Sequence, residues 1–151
     1  MTESAHHYRW CMRVLGIDLG SKRIGIAVSD FTGTVASPLS VLARSKSRRH
    51  DHDEIARIAR EEEAEAIVVG LPLNMDGSSG PAARSATKEA HDIATVTGMP
   101  VHLQDERLTT VTAERALREA NMRGEERRTV VDKVAAAVLL QTWLDARGTD
   151  R

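Results

Sequence analysis

Three carboxylates stand where their surroundings call for an apolar or indifferent residue, and together they could hold a divalent cation for phosphoryl chemistry. In Val14-Leu15-Gly16-Ile17-Asp18-Leu19-Gly20, the apolar residues read as a buried strand closed by a glycine turn. Asp18 interrupts that strand. A buried carboxylate is costly unless it is paired, hydrogen-bonded or facing a cation. A second candidate lies in Asp105-Glu106-Arg107, directly after the short apolar stretch Val101-His102-Leu103-Gln104. Strand alternation sends Asp105 and Glu106 to opposite faces, so only one can join Asp18, and periodicity does not choose between them. The third is Asp132, which heads a helical stripe of Ala136, Leu139, Leu140 and Trp143 and is thereby aimed inward. Each acid also has a plainer reading: Asp18 as a turn residue, Glu106 as a solvated loop acid, Asp132 as a capping-box acid three residues after Thr129.

Jointly, three such acids describe an oxygen-only cage suited to Mg²⁺ or Mn²⁺. Two ions about 4 Å apart would activate water on one side and stabilise a leaving oxygen on the other, with no protein nucleophile. The sequence agrees in lacking a Gly-x-Ser-x-Gly elbow, a His-Glu-x-x-His pair and a Walker loop.

The elements that must position these acids follow from apolar spacing. After Gly20, Ser21-Lys22 forms a turn, and Ile24, Ile26 and Val28 alternate with small residues in a strand that pairs back as a hairpin. Val35 to Leu42 supplies a third strand, with Pro38 arguing for an edge or a bulge. Arg44 to His52 reads as a basic, polar connection in which His50 and His52 are solvated. From Asp53, the positions Ile55, Ile58, Ala59 and Ala66 have helical spacing. Ala66 to Gly70 is an uninterrupted apolar strand, parallel and central, followed by a loop from Leu71 to Gly80. Pro81 opens a helix to about Thr97, ended by Gly98. Val101 to Gln104 is a short strand, Thr109 or Thr110 caps a helix through Ala120, and a last helix runs from after Thr129 to about Ala146. The order implies an α/β domain with a mixed sheet of about five strands flanked by helices. In such sheets, sites collect at the carboxyl ends of strands, where Asp18 and Asp105-Glu106 fall.

The 151 residues suit one domain, expected at 12–147, with a frayed extension at 1–11 and a short tail at 148–151. Aromatic residues make up only 3%, so stacking platforms for single-stranded bases are few. The net charge of -1 gives no global attraction to nucleic acid, and any such attraction must be local. Arg44, Lys46, Arg48 and Arg49 form the densest cationic stretch, read here as a grip on backbone phosphates. A second group, Arg115, Arg118, Arg123, Arg127, Arg128 and Lys133, is interspersed with Glu114, Glu119, Glu125 and Glu126. The lone Cys11 excludes an internal disulfide and leaves only pairing with another chain or a small thiol. No apolar run is long enough to span a bilayer and no signal core precedes the first strand, so a cytoplasmic location and no membrane partner are expected.

Four blocks together resemble the YqgF/RuvX family: Gly16-Ile-Asp18-Leu-Gly20-Ser-Lys22-Arg23-Ile-Gly25-Ile-Ala-Val-Ser-Asp30, Val69-Gly70-Leu-Pro72-Leu-Asn74-Met-Asp76-Gly77, Asp105-Glu106-Arg107-Leu-Thr109-Thr110 and Val131-Asp132-Lys133-Val-Ala135-Ala136. They come in the family's order and cover the chain from Met12 to Leu144. The resemblance implies a ribonuclease H-like fold and a metal-dependent nuclease acting on structured nucleic acid, in maturation of the 5′ end of pre-16S rRNA. Resolution of four-way DNA junctions is the alternative, and a non-catalytic rRNA-binding assembly factor a second one. Carried over by position, it implies Asp18, Glu106 and Asp132 as the catalytic, metal-binding triad, and Lys22, Arg23, Asn74 and Arg107 on the substrate side. A homodimer would suit a four-way junction, although no long apolar seam predicts one. Actin-like ATPases share the Asp-x-Gly hairpin but need two such domains, for which this chain is too short.

Overall fold

The computed structural model describes residues 12–107 and 124–148. Cys11, the helix expected from Thr109 or Thr110 to Ala120, and the side chains of Arg115, Arg118, Arg123, Arg127 and Arg128 lie outside this description. Strands β1 (Val14–Leu19), β2 (Arg23–Ser29) and β3 (Ala36–Ala43) form an antiparallel meander. Helix α1 (Arg48–Glu61) leads to β4 (Ala66–Leu71), α2 (Pro81–Thr97) to β5 (Val101–Asp105), and α3 (Gly124–Gly148) closes the described chain. The sheet order is β3-β2-β1-β4-β5, with β4 parallel to both β1 and β5. Pro38 sits on the edge strand, next to a register shift opposite Ile26 and Ala27, so both of its expected roles are realised. Among the described residues no helix is long and apolar enough to cross a membrane.

The period of two along each strand sorts the core into two layers. Leu15, Ile17, Ile24, Ile26, Ile67 and Val69 face one way and pack with Ile55, Ile58 and Ala59 of α1 and Ala90 and Ile93 of α2. Val14, Ala27, Ala66 and Val68 face the other way, against Ala136, Leu139, Leu140 and Leu144 of α3. This second face is lined by small residues, which lets α3 lie almost on the backbone. Asp18 pairs with Gly25 across the β1–β2 ladder. A Cβ at Gly25 would run into the backbone carbonyl of Asp132. Gly25 therefore brings α3 at Asp132 down beside Asp18, an approach that no larger residue permits.

Two boundaries differ from the sequence reading. Helix α1 begins at Arg48 rather than Asp53, because Ser47 acts as its N-cap and accepts from the His50 N–H at 3.1 Å. His52 is consequently not solvated: it is 3% exposed, and Asp51 is 4% exposed. Helix α3 begins at Gly124, ahead of Thr129.

Candidate active site

The site lies over the carboxyl ends of β1, β4 and β5, on the α3 face. The strand register decides between the two acids after β5. Gly70 pairs with Gln104 and Leu71 with Asp105, so Glu106 continues the face of His102 and Gln104. His102 confirms that face by packing on Trp143 of α3, ring centres 5.1 Å apart. Glu106 hydrogen-bonds to Asp18. A Cβ at Gly70 would come up against its carboxylate, so the bare backbone of β4 leaves Glu106 room to lie across it. Asp105 turns away and is held by Arg107, whose Nη2 donates to Oδ2 at 2.6 Å and whose backbone N–H donates to Oδ1 at 3.0 Å.

Burial, followed by the charge of Asp132, raises Asp18 from the usual carboxylate range to about 6, against the lowering effect of its bond with Glu106. Burial, the charge of Asp18 and the same hydrogen bond raise Glu106 to about 7. The bond favours ionised Asp18 and protonated Glu106, so the two acids lose their protons as a coupled pair. Asp132, more than two turns into α3, is neutralised differently: Arg23 Nε donates to its Oδ2 at 2.7 Å. Among the described residues, a proton shared by Asp18 and Glu106 and the Arg23 guanidinium both offset the charge of the three carboxylates.

That compensation sets the test of fit for a metal. The donor set is all oxygen, which suits hard divalent cations. The positions of the shared proton and of Arg23 are where positive charge is already required. The three side chains nonetheless do not form a ready-made cage: among the described residues, no three acidic, His or Cys groups are arranged to hold an ion. A cation placed among these acids would compete with the proton on the Asp18–Glu106 pair and with Arg23 for Asp132.

Raised carboxylate pKa values have a definite linkage sign. The folded protein binds protons more tightly than the unfolded chain, so this contribution is complete below about pH 4 and is lost as pH rises to about 7. Metal-free protein is therefore expected to melt several degrees lower at pH 8 than at pH 5, and Mn²⁺ to reverse the loss. Thermal melts in EDTA across that interval check it; a flat profile would remove the buried-proton account of Asp18 and Glu106.

The other sequence-derived candidates divide into engaged and outward-facing groups. Lys22 is exposed in the β1–β2 turn. Asn74 lies in the loop after β4, where its backbone accepts from Gly77 and its side chain donates to Ser78 Oγ at 3.0 Å. Arg107 joins that loop to β5 by donating to the Met75 carbonyl at 3.2 Å. In the basic stretch, Arg44 donates to Glu89 through two bonds of 2.8 and 3.0 Å. The cause is burial: Glu89 is 2% exposed and must be paired. Arg49 pairs with Asp53 one turn on, while Lys46 is exposed and Arg48 is 56% exposed. Arg44 Nε also donates to the Gly20 carbonyl at 2.7 Å, so the turn after Asp18 is braced from α2.

Sequence reasoning missed this brace. Its signal was present: Glu89 falls among Ala83, Ala86, Ala90 and Ile93 on the buried face of α2, and His52 leads Ile55, Ala56 and Ala59 on that of α1. His52 Nε2 lies 2.8 Å from Glu89 Oε2.

A mixed sheet with helices on both faces and acids gathered at the ends of β1 and β5 defines a ribonuclease H-like α/β protein. The same fold occurs in Thermus thermophilus RuvC in complex with Holliday junction substrate, with a TM-score of 0.58 and 19% identity over 91% of this chain and 96% of that one. Residues 12–146 match the RuvX family, described as Holliday junction resolvase, and the chain belongs to that family. It is 52% identical over 136 residues to the "Putative pre-16S rRNA nuclease" of Anaeromyxobacter sp. (strain Fw109-5), covering 90% of this chain and 98% of that protein. The protein of the same name from Myxococcus xanthus (strain DK1622) is 48% identical over 135 residues, 89% of each chain.

Proposed function

We propose that this protein is a divalent-metal-dependent endonuclease that trims the 5′ end of pre-16S rRNA. The observation that carries the reading is the meeting of Asp18 with Glu106 beside Asp132, in a chain that is 52% identical to a relative bearing the rRNA nuclease name. Asp18, Glu106 and Asp132 would hold Mg²⁺ or Mn²⁺, which when bound supplies an activated water and neutralises charge on the phosphoryl group.

The chain's own residues have three tasks. Glu106 releases the proton it shares with Asp18, which leaves both carboxylates charged for the cation. Arg23 parts from Asp132 and becomes available to a phosphate oxygen. Arg107 ties the loop after β4 to the end of β5 and Asn74 closes that loop on Ser78, so that a strand crossing the sheet edge meets a fixed surface. Lys22, Lys46 and Arg48 supply cations around that edge, and contribute affinity without reading bases.

The test offers purified protein a 5′-extended small-subunit rRNA precursor and a four-way DNA junction side by side, each with Mg²⁺ and with Mn²⁺. Cleavage of the precursor with the higher kcat/KM, abolished by EDTA, is the expected result. Faster cleavage of the junction would transfer the assignment to DNA recombination. Tight binding of the precursor with no metal-dependent cleavage would make the protein an assembly factor.

A further inference from the structure

Between the β1–β2 turn and the start of α1 lies a cavity of about 350 Å³, lined by Ser21, Arg44, Ser45, Lys46, Arg48 and Asp51. Its walls are fixed. Arg44 is held by Glu89 and Gly20, Ser45 Oγ donates to the Ser47 carbonyl at 2.9 Å, and the 14-residue helix α1 directs its N-terminus here. Counted together, Arg44, Lys46 and Arg48 against Asp51 and Glu89 leave one positive charge, to which the helix end adds a partial one. That balance suits a single phosphodiester.

Asp51 gives the cavity a second requirement. It is 4% exposed and is the only acid among the described residues of the lining. Its Oδ1 accepts from the Ser45 N–H at 3.0 Å, but its buried Oδ2 has no hydrogen-bond partner among the described residues. A buried carboxylate oxygen without a donor is costly, and donors are what native interiors provide. A ligand that completes this cavity brings one negative charge for Lys46 and Arg48 and one hydroxyl for Asp51. A ribonucleotide unit carries both; a deoxyribonucleotide lacks the hydroxyl.

We propose that this cavity is a backbone subsite for an RNA strand, with a phosphodiester against Lys46 and Arg48 and a ribose 2′-hydroxyl donating to Asp51 Oδ2. Ser21 is three residues past Asp18, which places the cavity within roughly 10 Å of the candidate catalytic carboxylate along the backbone. A strand that crosses the carboxyl end of β1 from the α3 face toward the start of α1 would reach both. The inference rests on the nuclease reading and adds to it the sugar chemistry of the strand that is held.

Fluorescence anisotropy in EDTA, where no cleavage occurs, compares single-stranded RNA and DNA of one sequence. Wild-type protein is expected to bind RNA about tenfold more tightly, the scale of one hydrogen bond to a charged group. Asp51→Asn retains Oδ1 for Ser45 and replaces the Oδ2 acceptor by a donor, so it should bring the ratio close to one while DNA affinity stays unchanged. Lys46→Gln should weaken RNA and DNA alike and lower the salt slope by about one. Independently of any variant, a single 2′-deoxy substitution scanned through the RNA should find one position that loses most of the preference. Equal affinity of wild-type protein for RNA and DNA, an Asp51→Asn ratio identical to wild type, or a flat deoxy scan would each overturn the subsite. Metal-dependent cleavage with no 2′-hydroxyl dependence overturns the subsite alone; a 2′-hydroxyl-dependent complex that is never cleaved overturns the nuclease reading alone.

Discussion

Asp18→Asn is expected to reduce cleavage by at least about a thousandfold and, at the same time, to stabilise the metal-free protein at pH 8. The first effect follows from the charge that Asp18 supplies to the cation. Charge stabilisation by a bound metal is worth several kcal/mol at the transition state, and each 1.36 kcal/mol is a factor of ten. The second follows from its displaced pKa, about 6 against an ordinary 3.8, which makes ionised Asp18 a liability at pH 8 when no cation is present. A shift of that size corresponds to at most about 3 kcal/mol. At 2–4 °C per kcal/mol for a chain of this size, the melting temperature in EDTA should rise by up to about 6–12 °C. The stabilisation that Mn²⁺ gives the wild type should be lost. Melting curves with and without Mn²⁺, beside a cleavage assay, check all three. A variant that is inactive but also less stable would assign Asp18 to the structure, and one that still cleaves would remove the triad.

The two halves of this prediction came from different depths of reading. Strand and helix periods place Asp18 and Asp132 on the α3 face, because an acid on an apolar stripe is conspicuous. Whether Asp105 or Glu106 joins them depends on where β5 ends, and strand ends are poorly marked by composition; the pairing of Leu71 with Asp105 decides it. The glycines at 25 and 70 illustrate the same limit. In sequence they are small residues in strands; only the crossing of α3 explains why a Cβ is excluded at Gly25, and only the placement of Glu106 explains the room left at Gly70. Cation patches fared worse, since density of Lys and Arg does not distinguish a solvated side chain from one bound to a buried acid. Arg44 and Lys46 are two residues apart, yet one is locked to Glu89 and the other faces outward.

Arg44→Met should cost about 3–5 kcal/mol, the penalty for leaving one partner of a buried ion pair uncompensated. Glu89 would be left with His52 at 2.8 Å and Arg48 at 3.9 Å, neither replacing the bidentate guanidinium. Burial alone would raise the Glu89 pKa, but bonds from Arg44 and His52 and the charges of Arg44 and Arg48 hold it below the ordinary range. A depressed carboxylate stabilises the fold above its ordinary pKa and loses that contribution as pH falls. The gap between wild type and Arg44→Met should therefore be widest near neutral pH and narrow toward pH 4, the opposite trend to that set by Asp18 and Glu106. Combining Arg44→Met with Glu89→Leu should recover most of the stability, because an apolar pair needs no compensation. It should not recover activity in full, since Gly20 still lacks the donor that braces the turn two residues after Asp18. Urea midpoints at pH 7 and pH 4, with unchanged m values, measure the stability cycle, and kcat/KM measures the brace. Additive losses in the double variant would show that Arg44 and Glu89 act separately and that the turn is not held from α2.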